Sequence, residues 1–471
     1  MKVFLLIVLL VVPVNLSAED KGKVLYDTWC AQCHGYEGKG DGYAKDFTFP
    51  QPRDFTVGTY KFTSTPTGDP PTDEDIMRMI RNGNPGTSMP GWTRFSDEEV
   101  KSLVDYLKRF APDVFTLKPE PVKITKVPSC SDDMIKKGKE IEENVAKCWE
   151  CHGREGRGDG EKSWQEDFKD DWGNPILPAD HTHPWEFRKG ASLEDIYITI
   201  TTGNKGTPMT SYQDTLSDDE RWALACYIKS RQQERRLGIS LRVKKTSQIP
   251  SAEDNAWDKI DYLDLSLGGQ LMFEPRNFTP LITNVRIRGL YTDTEVGIML
   301  EWTDKKPNNG DDGLPPDAVW VQFPARLGDT KPYFFMGDKK NPVYIWSFNA
   351  RDRRGDEFNA KGPGNLSHQE SQKDIIAEGL YRNGLYRVLF KRPLITKDDH
   401  DLKFKTGIFI PFSVIIYDGN NREEGNKATV SAWYYMILEP PLSPKVYLLP
   451  PLVTLVFLTG GFFLHMRMRK K

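Results

Sequence analysis

The chain has 471 residues, of which 38% are hydrophobic, 28% charged and 11% aromatic, with a formal net charge of −3. That length exceeds one ordinary domain and suggests about three. The near-neutral charge gives no electrostatic support for binding nucleic acid, which is excluded as a partner.

Residues 1–18 read as a signal peptide: one Lys, an apolar run from Val3 to Val14, and small Ser17 and Ala18 at the exit. Leu16 is a weak residue for the −3 position, which keeps an uncleaved anchor open as the alternative. Either reading exports the chain.

Two segments then repeat each other. Residues 19–115 contain "KGKVLYDTWCAQCHGYEGKGDG", and residues 131–240 contain "KGKEIEENVAKCWECHGREGRGDG". In both, a helix-like stretch runs into C-x-x-C-H, turn-rich loops follow, and a capped helix closes the unit. Ser96 with Glu99, and Ser217 with Glu220, are capping boxes ahead of apolar residues at helical spacing. Residues 116–130, with "KPEPVKITKVP", read as an extended linker.

C-x-x-C-H in an exported chain reads as covalent haem attachment. Two thiols on one helical turn reach the two vinyl groups of one porphyrin, and the next His points its imidazole at the iron. Cys30, Cys33 and His34 serve the first haem c, and Cys148, Cys151 and His152 the second. A redox dithiol would want a thioredoxin-like context. A zinc site would want a second thiol pair nearby. Neither is present. For the sixth ligand, Met89 in "NGNPGTSMPGW" and Met209 in "TGNKGTPMTSY" occupy matched loops ahead of the capped helices. His181 and His183 compete for that role in the second unit. Iron with His and Met on both faces suits electron transfer rather than substrate chemistry. Two cysteines remain. Cys130 and Cys226 could pair in an exported chain, but the place of Cys226 within an amphipathic helix favours a small buried side chain.

This half resembles class I cytochromes c over two consecutive all-α domains. The resemblance implies that "PRDF" lies by the haem propionates, with Arg53 paired to one. The second unit has "PADH", with Ala179 at that position, so the feature is not shared.

Residues 250–440 change texture. "VGIMLEW", "AVWVQF", "VYIWSF", "YRVLF" and "SAWYYMIL" alternate with turns such as "PNNGDDG", which predicts a β-sandwich. Taken alone, carbohydrate binding or scaffolding are fair readings. The stretches "DAVWVQFP", "KPYFFMGDKKNPVYIW", "DIIAEGLYRNGLYRVLFKRPL" and "FIPFSVIIYDGNN" resemble the haem-binding γ subunits of ethylbenzene dehydrogenase and related molybdoenzymes of the dimethyl sulfoxide reductase family. The resemblance implies one non-covalent haem b held by Met and Lys. Met336 is the Met by its place in "FFMGD", and Lys361 or Lys373 the Lys, with His368 in the same stretch. Where those subunits often carry Trp-x-Trp-Lys, this chain has "WSFNA".

Residues 447–466 form an uncharged stretch long enough for a transmembrane helix, and the basic tail 467–471 follows. The positive-inside rule puts that tail in the cytoplasm and the bulk of the chain in the periplasm. The expected architecture is therefore multidomain: two all-α cytochrome c domains, one β-sandwich domain and one C-terminal transmembrane helix. The expected function is multihaem electron transfer without substrate turnover on this chain. The resemblance implies the catalytic and iron–sulfur subunits of a molybdoenzyme as partners, with a soluble cytochrome or quinol-linked complex at the other end. A dihaem cytochrome tethered to a glycan- or partner-binding β-domain without haem b is the alternative, and a dihaem peroxidase needs an open iron position that the two Met loops oppose.

Overall fold

The computed structural model describes residues 18–124, 126–328, 330–368, 374–398, 401–441 and 444–469. Residues 1–17, where the signal peptide was expected, lie outside the described residues, and so do Lys373, Lys470 and Lys471.

The first helical unit contains α1 (Ala18–Trp29), α2 (Ala31–His34), α3 (Asp73–Asn82) and α4 (Asp97–Lys108). The second repeats it with α5 (Asp132–Ile141), α6 (Trp149–His152), α7 (Leu193–Thr202) and α8 (Asp218–Ser230). Both expected capping boxes form: Ser96 Oγ accepts from Glu99 N at 3.2 Å, and Ser217 Oγ from Glu220 N at 3.4 Å. Two more start α3 and α7, from Thr72 with Asp75 and Ser192 with Asp195. Each such cap is worth about 1 kcal/mol.

In each unit the first and last long helices cross in backbone contact. A Cβ on Gly22 would lie 2.1 Å from the Ser102 carbonyl oxygen, and one on Gly138 would lie 2.0 Å from that of Ala223. Only a hydrogen fits at these crossings. Around them pack Tyr26, Leu103 and Val104 in the first unit, and Ile141, Leu224 and Ile228 in the second. The units differ just before the cysteine motif. In the first, α1 runs directly into it, with Cys30 N donating to Tyr26 O at 2.8 Å. In the second, a π-helical turn over Glu142–Ala146 and a left-handed Lys147 (φ 48°) intervene. A π-turn is the usual way to absorb extra residues without losing the helix direction.

Cys130 and Cys226 form a disulfide with a Cα–Cα distance of 5.5 Å. This corrects the expectation of a lone buried Cys226. Cys226 is indeed fully buried on α8, but Cys130 stands just ahead of α5, the helix that lies across α8.

Among the described residues the β-domain has thirteen strands: β1 (Ser240–Lys245), β2 (Tyr262–Gly269), β3 (Asn284–Tyr291), β4 (Glu295–Thr303), β5 (Ala318–Pro324), β6 (Val343–Asn349), β7 (Gly355–Ala360), β8 (Leu366–His368), β9 (Ile376–Arg382), β10 (Leu385–Pro393), β11 (Phe409–Tyr417), β12 (Thr429–Ser431) and β13 (Tyr434–Leu438). β1 starts ahead of residue 250, where the domain was expected to begin. The order is β8-β7-β6-β5-β11-β12-β2-β3-β4-β10-β9, antiparallel throughout, while β1 runs parallel to both β13 and β3. β11 changes partner along its length, from β13 at Phe409–Phe412 to β12 at Ile415 and Ile416. Both halves of the sheet feed one core, with Leu265, Ile287 and Leu300 from one and Val321, Trp346 and Val414 from the other.

The three units touch. Lys61 of the first pairs with Asp170 of the second at 2.7 Å, with side chains only 9% and 3% exposed. Trp164 of the second donates its indole N–H to Lys305 O of the β-domain at 2.7 Å. The chain ends in α9 (Pro444–Arg469), which is long and apolar enough from Leu448 onward to cross a membrane and carries Arg467 and Arg469 in its last turn.

Candidate functional site

The two cysteine motifs have the same geometry. His34 N donates to Cys30 O at 3.0 Å and His152 N to Cys148 O at 2.8 Å, so both thiols and the imidazole of each motif share a single turn. Each His is then oriented by its Nδ1 edge: His34 lies 2.9 Å from the Arg53 carbonyl oxygen and His152 2.9 Å from that of Ala179. This leaves Nε2 free for a metal and fixes the ring plane, the arrangement that iron-ligating histidines require. Burial lowers both imidazole pKa values, that of His152 to about 4, so the rings are neutral and able to ligate. Burial also pushes the Cys30 and Cys148 thiols up to about 12. Redox-active dithiols need the opposite shift.

The methionine loops match bond for bond. Asn84 N donates to Met89 O at 3.1 Å and Asn204 N to Met209 O at 2.9 Å. Met89 N and Met209 N each donate to the Oγ1 of Thr87 and Thr207, both at 3.2 Å. Both sulfurs belong to half-buried side chains.

In the second unit a cavity of about 450 Å³ is lined by Cys148, Cys151, His152 and Met209 together. Cofactor pockets run from about 300 to 1,000 Å³. Its walls come from all three units: Phe49 and Lys61 from the first, Ile196 and Arg188 from the second, Leu281 and Lys305 from the β-domain. Burial lowers the pKa values of Lys61, Arg188, Lys189 and Lys305, with that of Lys189 brought to about 7. A cavity walled by desolvated cations fits a ligand that brings carboxylates, as the propionates of haem do. No sequence pattern marks these cations as a group, because Lys61 and Lys305 come from the units on either side of the one that holds Arg188 and Lys189.

The Pro-x-Asp-x segments meet the cysteine-motif histidines through their backbone. Arg53 serves His34 through its backbone carbonyl, while its guanidinium lies over the Trp172 ring of the second unit at 3.8 Å. Trp172 in turn packs on Gly206 in the Met209 loop. The proximal side of the first site therefore meets the distal side of the second. Phe55 stacks on His34 at 4.5 Å, and His181 takes the same place against His152 at 4.2 Å. His181 thus sits beside the proximal imidazole and is no competitor for the sixth position. His183 is held by Asp180 and Glu186 at 3.3 and 3.4 Å.

Met336 has a left-handed backbone (φ 59°) and a side chain 2% exposed, packed with Phe335, Val343, Ile345 and Tyr417. Its N–H donates to Gln322 Oε1 at 3.1 Å and its carbonyl accepts from Gly362 N at 2.9 Å. Lys361 is exposed, Lys373 lies outside the described residues, and His368 is exposed beside Asp356. A sulfur that binds haem iron must face a space as wide as a porphyrin. Met209 lines such a space, whereas Met336 is packed among side chains, so the described residues show no Met–Lys pair placed to hold the haem b that the γ-subunit resemblance implied.

Residues 17–107 match the family model of cytochrome c oxidase, cbb3-type, subunit III, and residues 135–232 match that of cytochrome c. A protein of Haloferax mediterranei named as a respiratory nitrate reductase heme subunit (ORF7) is 23% identical over 203 residues, 43% of this chain and 72% of that one. Among solved structures, a chain of the Kuenenia stuttgartiensis reducing HAO-like protein complex is 44% identical, covering 45% of this chain and 96% of that chain at a TM-score of 0.44. A family 9 carbohydrate-binding module from Caldicellulosiruptor kristjanssonii in complex with glucose is 11% identical, covering 43% of this chain and 98% of that one at a TM-score of 0.28. At TM-scores this low neither structural likeness speaks to function. The two cytochrome c domains carry covalently bound haem, and they place the chain among multihaem electron-transfer proteins.

Proposed function

We propose that this chain is the membrane-anchored haem subunit of an oxidoreductase complex, passing electrons between a catalytic partner and a respiratory-chain carrier at the periplasmic face of the cytoplasmic membrane. Cys30 and Cys33, and Cys148 and Cys151, hold the two haems by thioethers. His34 and Met89 ligate the first iron, and His152 and Met209 the second. The observation that carries this reading is the cavity on which Cys148, Cys151, His152 and Met209 converge. When bound, each haem supplies one-electron redox chemistry. The chain's own residues would position it, exclude water and hold its iron through the paired His and Met.

The second site is the middle of the path, because its walls include the β-domain on one side and the first unit on the other. The β-domain then faces the catalytic partner, for which the γ-subunit resemblance favours the iron–sulfur subunit of a molybdoenzyme. The first unit faces the soluble cytochrome or quinol-linked complex. This path uses the two haems c.

Purification in mild detergent, with identification of co-purifying subunits and a pyridine haemochrome count, tests the reading. Two c-type haems and a stoichiometric redox partner are expected. A chain that purifies alone with a single haem overturns it, and a b-type signal that disappears in Met336→Ala would reinstate the third haem.

A further inference from the structure

The β-domain buries three carboxylates together. Asp304 follows β4, Asp317 precedes β5 and Asp418 follows β11; they are 3%, 1% and 4% exposed. Each offers an oxygen within 4.8 Å of those offered by the other two. Among the described residues no Lys, Arg or His forms an ion pair with any of them. Lys427, whose charge reaches Asp418, gives its ammonium to the Asn421 carbonyl. Hydrogen bonds answer only part of the charge. Asp317 accepts from Asn308 N at 2.5 Å, Tyr386 Oη at 2.9 Å and Gly419 N at 2.9 Å. Asp418 accepts from Asn420 N at 2.8 Å, and Asp304 Oδ1 from Lys306 N at 3.0 Å. Asp304 Oδ2 is buried without any partner. Burial pushes all three pKa values up, those of Asp317 and Asp418 to about 7 and about 6, and repulsion from neighbouring carboxylates adds to it at Asp304 and Asp317.

An unanswered carboxylate oxygen in a buried acidic cluster is costly unless a cation sits there or the group is protonated. Space for the first exists. Asp304 and Asp418, though not Asp317, line a cavity of about 270 Å³ together with Lys305, Lys306 and Asn420 of the β-domain and Asp180, His183 and Glu186 of the second cytochrome domain. We propose that Asp304, Asp317 and Asp418 bind a calcium ion at the junction between the β-domain and the second cytochrome domain. The donors are hard oxygens, which exclude the softer metals. Three carboxylates, mono- or bidentate, supply a large share of the 6–8 oxygens that calcium takes, and cavity water completes the shell. Magnesium would demand near-ideal octahedral geometry and usually takes only one or two carboxylates.

The ion has a structural consequence for the haem site. Thr303, next to Asp304, donates to Asp180 Oδ2 at 2.9 Å, and Lys305 donates to Pro178 O at 2.5 Å. These contacts bracket Ala179, whose carbonyl orients His152. A cation on Asp304 fixes the loop that presses on this segment.

The test uses the full-length, haem-loaded protein in detergent. It is stripped with chelator, re-equilibrated with calcium and assayed for bound metal and thermal stability, with and without about 1 mM calcium, the range of extracellular calcium modules. The expected result is one retained calcium per chain and a calcium-dependent rise in Tm. Asp304→Asn is expected to weaken calcium binding by about tenfold or more, to lose that rise, and to melt no lower than the stripped parent, since it removes a repulsive charge. Parent protein that retains no calcium and melts identically in chelator and in calcium overturns the proposal, and shows instead that the cluster shares protons. An Asp304→Asn variant with the parental calcium response also overturns it.

Discussion

Removing the disulfide by Cys130→Ala with Cys226→Ala is expected to destabilise the second cytochrome domain selectively. The bond joins residues 96 apart and so encloses nearly the whole of the domain matched over residues 135–232. For a loop of that size the chain-entropy relation gives about 4.7 kcal/mol at 25 °C, and native disulfides in exported domains contribute about 2–5 kcal/mol. The haem thioethers do not substitute for it, because they close only the short span between Cys148 and Cys151. Alanine fills most of the space of Cys226, so a packing loss adds little. A domain of this size shifts by roughly 4–8 °C per kcal/mol, so the Tm should fall by about 8 °C at the least. Scanning calorimetry of the purified chain, or a Soret-region melt, should show one transition moving down while that of the β-domain stays. A fall of less than about 2 °C would refute the loop-closure reasoning and mean that the packing of α5 on α8 already restrains the unfolded chain.

Met209→Ala opens one coordination position, so the reduced protein should bind one carbon monoxide per chain while the parent binds none; a variant that still binds none has its sixth ligand elsewhere. Lys305→Met removes a half-buried cation from the wall of the second cavity and should lower the potential of that haem alone, by about 60 mV for about 1.4 kcal/mol in a one-electron couple, as read by redox titration; an unchanged potential would place the ammonium away from the redox centre. Gly138→Ala puts a methyl group 2.0 Å from the Ala223 carbonyl oxygen and should cost about 1–3 kcal/mol in a thermal melt, with no loss at all meaning that α5 slides freely on α8.

What the sequence disclosed here was whatever chemistry confines to a short stretch. The thiols and imidazole of C-x-x-C-H must share one turn, so the motif is contiguous. The capping boxes at Ser96 and Ser217 are local for the same reason. The Met loops were legible only because the chain carries two copies that could be compared. The same comparison flagged Arg53 against Ala179 but missed their shared task, which the backbone carbonyl performs and which no side chain records. The Cys130–Cys226 bond, the packing of Trp172 against Arg53 and the cluster of Asp304, Asp317 and Asp418 all join residues far apart in the chain, where no periodicity reports on proximity. Met336 shows the converse. Its place in "FFMGD" suggested a ligand, yet the side chain fills the sheet interior, and a left-handed backbone at such a residue marks local strain without saying what the strain serves.

The second cavity belongs to no single domain. Its floor is the cysteine turn, but one wall arrives from the unit before it and another from the unit after it. The boundaries that divide this chain by sequence repeat therefore do not divide it by redox property. An excised second unit would lose Lys61 and Lys305 from around its cofactor and would report on a different environment from the one it has in place. The same sharing makes the site a strain gauge: any tilt of the β-domain is delivered through Lys305 and Thr303 to the segment behind His152.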